Sequence, residues 1–331
     1  CSHASCREQR GREATVPSDS ICDYIKTEMY KLNHPWFNSY RFSFSTNGIN
    51  YNSEKVQQFV SKNLTHLSVG VTIDGTRRKH DLNRIYKGND KGSYDDVVKN
   101  IPLWLSQFPN GGTKVTISSA DIPYIKESVM HLFSLGIHQV NINCVFESVW
   151  RDGDDVLFED QLLQLADEII DGEWYKDYAC SFFSETIGKP IDLECENQNW
   201  CGAGRMLSID AAGNYYPCTR FAAYSLRSKK PIIIGNVDDG INKNLLRPFL
   251  TLDLVTQSPR ECLECDVASG CAWCQGENYD AADTDTIYQR STAICRMHKA
   301  RVRANNYYWR RLYRKIDMQG GDIHCRGCCD C

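Results

Sequence analysis

The chain has 331 residues and a formal net charge of −4, enough length for one large α/β domain with a smaller module. So small a charge does not mark a nucleic-acid binder or a protein of charged surfaces. No apolar run reaches bilayer length, since Pro231-Ile-Ile-Ile-Gly235 breaks after a few residues, and the polar start Cys1-Ser-His-Ala-Ser-Cys6 has no apolar signal-peptide segment. The expected setting is cytoplasmic, with neither membrane nor nucleic acid as partner.

Residues 2–19 are polar and show no strand period. Arg41-Phe-Ser-Phe-Ser45 alternates with period two and ends at the turn Asn47-Gly48. A helix opened by Ser53-Glu54 follows, with Val56, Phe59 and Val60 on one face. A second strand spans His66 to Ile73 and closes at Asp74-Gly75. Ser93 is expected to cap a helix carrying Val97, Val98, Ile101 and Leu105. Lys114 to Ile117 is a third strand, and a helix from about Asp121 to Leu135 stops at Gly136. A fourth strand runs from Ile137 to Phe146, and a long helix from Val156 to Ile170.

Successive β-then-α units at this spacing predict a parallel sheet with right-handed crossovers. With no Gly-x-Gly-x-x-Gly, four units favour part of a (β/α) barrel over a dinucleotide fold. Beyond Ile170 strands shorten, turns multiply and cysteines set the spacing. Val302, Asn305, Trp309, Leu312, Tyr313 and Ile316 then recur at helical spacing. Lys299 to Lys315 is basic and aromatic, as a single-strand nucleic-acid binder would be, but its apolar period reads as a packed helix with a solvated basic face.

Twelve of the seventeen cysteines lie between Cys195 and Cys331. In a long chain with an odd count, that clustering points to metal in a reducing compartment rather than to a disulfide framework. Cys262-x2-Cys265-x5-Cys271-x2-Cys274 is the strongest signal. Short Cys-x2-Cys loops turn both thiolates toward one centre and aim backbone amides at the sulfurs. Cys195-x5-Cys201, Cys218 and Cys295 bring the set to eight, enough for two four-thiolate sites. Zinc is the rival metal, but its sites separate their Cys pairs by a longer gap and often recruit His. The short gap without His favours iron–sulfur. Cys144 and Cys180 read as small buried residues. The tail Cys325-x2-Cys328-Cys329-x-Cys331 could bind metal, although a mobile terminus is the plainer expectation.

Cys201-x11-Gly213-x4-Cys218, followed by the Cys262–Cys274 run and Cys295, resembles the SPASM domain of radical S-adenosylmethionine peptide maturases. Ser45-Thr-Asn-Gly48, Thr72-Ile-Asp-Gly75 with His80-Asp81 and Arg84, and Lys91-Gly-Ser-Tyr94 resemble the same family's barrel motifs in order. Arg303-Ala-Asn-Asn-Tyr-Tyr-Trp309 is most similar to the branch acting on Cys-x-x-x-repeat peptides, whose products carry thioether crosslinks. The likeness runs from about Ser20 to Ile316.

The resemblance implies an α/β fold, a partial (β/α) barrel of the radical SAM type over 20–175, with a small Cys-rich SPASM domain over 176–298. A C-terminal helix would span 299–318, a Cys-rich tail 319–331, and an irregular remnant of the cluster loop 1–19. It further implies that Cys195, Cys201, Cys218 and Cys274 ligate one auxiliary 4Fe–4S cluster, and Cys262, Cys265, Cys271 and Cys295 a second. Ser45, Asn47, Thr72 and Arg84 would contact S-adenosylmethionine, Arg84 through its carboxylate. A Cys-containing precursor peptide and an electron donor such as ferredoxin or flavodoxin are the implied partners.

Two departures stand out. Cys271 and Cys274 are separated by two residues where the family usually has three. The family's radical cluster needs Cys-x3-Cys-x2-Cys after the first strand, and here only Cys1, with Cys6 at another spacing, is near. The expectation is therefore a maturase that is N-terminally incomplete or has lost its radical centre. The alternatives are a non-catalytic iron–sulfur protein and a zinc-stabilised peptide-binding module.

Overall fold

The computed structural model describes residues 15–197 and 201–318. Cys1, Cys6 and the Cys325–Cys331 tail lie outside the described residues. The described residues divide into two compact units: one built from 15–144, 160–183 and 311–318, the other from 145–159 and 184–310. No helix among the described residues is long and apolar enough to cross a membrane.

The first unit is an α/β unit with parallel strands. Its strands are β1 (Phe42–Thr46), β2 (Leu67–Val71), β3 (Gly112–Ile117), β4 (Gln139–Cys144) and β5 (Ala179–Cys180). β1 pairs with β2, and β3 with β4 and β4 with β5, all parallel and in chain order. Between β2 and β3 the ladder gives way to one side chain. The Thr113 hydroxyl donates to the Val71 carbonyl at 2.8 Å and accepts from the Ile73 amide at 3.2 Å. Such an order, without the reversal of a doubly wound sheet, agrees with the parallel α/β reading. The described strands do not form a closed barrel.

Alternation explains the sheet's two faces. Val69, Val71, Val115, Ile117 and Val140 are buried. Their neighbours Ser43, Ser45, Lys114, Gln139, Asn141 and Asn143 are exposed. The apolar face is sealed by helix residues such as Val56, Phe59, Trp104, Leu132 and Phe133. Trp104 also donates its indole N–H to the Val69 carbonyl at 2.8 Å, as a buried indole must.

Two expected helices are each broken by a proline. The segment after Ser93 is two helices, Tyr94–Val98 and Ile101–Gln107, with Pro102 in the first turn of the second. Proline has no amide to continue the first helix, but it suits the opening turn of a new one. Likewise, the helix expected from Asp121 begins as a 3-10 turn, Ser119–Tyr124, containing Pro123, and becomes α-helical only over Ile125–Ser134. A reciprocal Ser118–Asp121 capping box opens the turn, and Gly136, at φ +82°, follows the helix. The fourth strand is shorter than expected, Gln139–Cys144.

The second unit contains an antiparallel meander of four short strands, β6 (Ser208–Ile209), β7 (Asn214–Tyr216), β8 (Gly235–Asn236) and β9 (Gly240–Ile241). Its core gathers Tyr216, Phe221, Ile234, Phe249, Leu252 and Tyr279, with Cys201 and Cys218 packed against it. The last helix runs from Cys295 to Met318, so it starts before the basic stretch that announced it. Val302, Asn305 and Leu312 are buried. Its arginines meet carboxylates: Arg303 donates to Glu159 at 2.7 Å within one unit, and Arg311 to Asp171 at 2.8 Å within the other.

Candidate functional site

Every described cysteine is a thiol outside any disulfide, and the thiols of the second unit fall into two electrostatically coupled groups. Cys201, Cys218 and Cys274 form the first: Cys218 feels the charge of Cys201 and Cys274, and Cys274 that of Cys201. Cys262, Cys265, Cys271 and Cys295 form the second. The family resemblance would add Cys195 to the first group as a ligand. Cys195 is exposed, on the short helix Leu193–Glu196, and residues 198–200, between it and Cys201, are outside the described residues. Among the described residues no three His, Cys, Asp or Glu side chains are set to hold a single metal ion.

Local structure explains how the first group is presented. Cys218 is the N-cap of the turn Thr219–Phe221, and Cys274 is the N-cap of helix Gln275–Ala281. Neither cap makes a side-chain hydrogen bond, but the opening amides of Arg220 and Phe221 after Cys218, and of Gly276 and Glu277 after Cys274, lie near the sulfurs. Opening amides of a helical turn have no partner within it, so their positive ends face a sulfur at the cap. They favour ionised sulfur, but burial opposes it more strongly. Burial pushes the Cys218 thiol up to about 11 and raises Cys274 as well. A buried thiol that faces such amides yet resists ionisation is suited to a cationic centre that displaces its proton. The all-thiol donor set fits iron–sulfur by the same chemistry.

In the second group, Cys262 lies on the turn Arg260–Leu263. The Cys271 amide donates to the Ala268 carbonyl at 3.0 Å, and Cys295 opens the last helix. Burial raises Cys262 and Cys271, and the positive charge of Arg290 opposes that rise at both.

Buried ion pairs surround the first group. Arg220 donates to Glu147 at 3.1 Å and to Glu277 at 2.7 Å. Arg227 reaches Glu277 at 2.6 Å and Asp280 at 2.9 Å. A small cavity beside them is lined by Phe146, Ala272, Cys274, Glu277, Asn278 and Ser291 among others. None of these charged partners was legible beforehand, although Arg220 stands only two residues after Cys218.

In the first unit, Ser45, Asn47 and Thr72 lie at the carboxyl ends of β1 and β2, and Arg84 caps the end of the helix Arg77–Asn83. Ser45 accepts a hydrogen bond from Lys114 Nζ at 2.8 Å. Asn47 turns its amide oxygen onto the Ile49 N–H at 3.1 Å. The Thr72 N–H donates to the Thr46 carbonyl at 2.8 Å and extends the β1–β2 pairing. Arg84 meets a carboxylate of the protein: its guanidinium pairs with Asp74. Asp74 also accepts the Thr116 N–H at 3.0 Å. Burial would raise the Asp74 carboxyl, but Lys79 and Arg84 outweigh it and hold it below the usual range. Lys79, fully buried, donates to the Thr116 carbonyl at 2.7 Å and lies 3.5 Å from Asp121. Sequence reasoning missed Lys79, although it sits inside the motif that contains His80, Asp81 and Arg84.

Comparison with known proteins finds the likeness in the fold. No family model matches the sequence, and no curated protein matches it. Native anSMEcpe with bound AdoMet has a similar structure, with a TM-score of 0.61 at 17% identity over 90% of this chain and 80% of that one. Native anSMEcpe with bound AdoMet and Kp18Cys peptide gives 0.59 at 17% identity, over 90% and 82% of the two chains. At such identity the likeness is one of fold.

Proposed function

We propose that this chain is a radical S-adenosylmethionine protein of the SPASM type, acting on a Cys-containing peptide and holding two auxiliary iron–sulfur clusters. The observation that carries the reading is the segregation of Cys201, Cys218 and Cys274 from Cys262, Cys265, Cys271 and Cys295. It occurs on a fold shared with a protein solved with AdoMet and a Kp18Cys peptide. In this reading Cys195 supplies the fourth thiolate of the first site, and thioether formation at a peptide cysteine is the reaction. A partial barrel would present Ser45, Asn47, Thr72 and Arg84 to AdoMet.

When bound, the auxiliary clusters supply one-electron chemistry and an anchor for thiolate sulfur. The chain's own contribution is positional. The capped turns at Cys218 and Cys274 fix sulfur orientation, and burial keeps those thiols protonated until a metal centre displaces the proton. Lys114, the cation on the exposed polar face of the sheet, is available to orient an anionic group of a ligand. Since Cys-x3-Cys-x2-Cys does not occur in these 331 residues, no radical-generating step is assigned to any of them.

Anaerobic reconstitution tests the proposal. Two four-thiolate sites predict close to eight irons per chain, about four per cluster, with a broad visible absorption. Stoichiometric zinc with a colourless spectrum would favour the zinc-stabilised module instead. A Cys-containing precursor peptide should bind the loaded chain more tightly than its Cys→Ser version, and equal affinities would remove the thiolate-recognition part of the reading.

A further inference from the structure

The two thiol groups sit beside arginines in opposite electrostatic situations. Beside Cys274, Arg220 is engaged by Glu147 and Glu277, and Arg227 by Glu277 and Asp280. With every group ionised, two cations against three carboxylates leave this network one charge negative. Even with Glu277 protonated it is only neutral. The three carboxylate side chains are 9%, 3% and 1% exposed, so water screens them little.

Beside Cys262 and Cys271, Arg290 stands alone. Its guanidinium donates to the Ser258 hydroxyl at 3.0 Å, and it forms no ion pair with a carboxylate among the described residues. Ser258 precedes the turn that carries Cys262, so this bond pins the cation at the base of that turn. Glu261, the acid on the same turn as Cys262, is exposed and therefore screened.

We propose that Arg290 makes the Cys262/Cys265/Cys271/Cys295 site the higher-potential site of the pair, so that an electron delivered to the chain comes to rest there. The inference rests on the two-cluster reading above. One electron passes from an external reductant to the cluster, and no bond or proton need move. The added negative charge is stabilised by a cation with no carboxylate partner and opposed by a neutral or negative network, so the two sites separate in potential.

The test is a potentiometric titration of the iron-loaded full chain, followed by electron paramagnetic resonance, with iron counted in each variant. Two one-electron steps are expected. Cys265→Ala should remove the upper step and leave the lower. Arg290→Gln should lower the upper step by roughly tenfold in its reduction equilibrium, about 59 mV for one electron, and Arg290→Lys should restore most of it. A fully loaded Arg290→Gln chain whose upper step does not move would overturn the inference. So would a Cys265→Ala chain that loses the lower step instead, and that arm decides the matter if Arg290→Gln loads poorly. A wild-type chain that takes up no iron is a different result, because it overturns the cluster reading itself.

Discussion

Gly276 lies so close to Arg220 that a β-carbon on it would stand 2.3 Å from the Arg220 Cβ. The contact joins the two turns whose caps are Cys218 and Cys274. Backbone touches side chain there with nothing between, so two sulfurs more than fifty residues apart in sequence stand on neighbouring turns.

Gly276→Ala should therefore damage the first thiol group more than the protein as a whole. Forcing the turns apart costs about 1–3 kcal/mol as overpacking, and the sulfurs move with them. The expected result after reconstitution is loss of roughly half the iron, with the circular dichroism of the helices retained. Full iron content in the variant would show that the two turns tolerate separation.

His80 should make stability fall in mild acid. Its Nδ1 accepts the Asp74 N–H at 3.1 Å, so the proton sits on Nε2, which faces Ser93 Oγ at 3.1 Å, and that hydroxyl donates to the Arg84 carbonyl at 2.9 Å. A second ring proton would confront the Asp74 N–H. Burial first, with Arg84 and Lys79 adding to it, lowers His80 from 6.5 to about 4. The unfolded chain thus binds a proton that the folded chain refuses between those values, and stability is lost as pH falls from 6.5 toward 4. The full interval corresponds to roughly 3 kcal/mol. Urea unfolding at pH 7 and pH 5 should show the drop, and His80→Asn should flatten it. An unchanged slope in that variant would assign the acid sensitivity elsewhere.

Lys79→Met should be among the most destabilising single changes in the first unit. Lys79 and Asp121 are buried together, at 0% and 2% side-chain exposure. Removing the ammonium leaves a buried carboxylate short of its cation and the Thr116 carbonyl short of a donor. Breaking one side of a buried pair costs about 3–5 kcal/mol. The double variant Lys79→Met/Asp121→Asn should recover part of that loss. A Lys79→Met chain as stable as wild type in chemical denaturation would mean that Asp121 is served by Ser118 and Asn83 alone.

Trp104→Phe offers a milder comparison. The second ring of the indole is lost, which leaves a cavity at a fully buried site, and the Val69 carbonyl loses its indole donor, which costs about 1–3 kcal/mol for a buried acceptor left alone. A chain with unchanged unfolding midpoint would show that water replaces the indole there.

Alternation in Arg41–Ser45 and Lys114–Ile117, and the helical period of Val56, Phe59 and Val60, were legible in the sequence because they depend on spacing within one segment. So was the closeness of Cys262, Cys265 and Cys271, which are near neighbours in the chain. The breaks at Pro102 and Pro123 were legible in principle, from proline's missing amide, but the apolar period masked them. Only the tertiary structure put Arg220 beside Cys274 and left Arg290 without a carboxylate among the described residues. Only it closed Arg84 onto Asp74 and hid Lys79. Those pairings join charges from distant segments, and a Coulomb energy depends on where the folded backbone sets two groups and how much water it leaves between them, neither of which is written in local spacing.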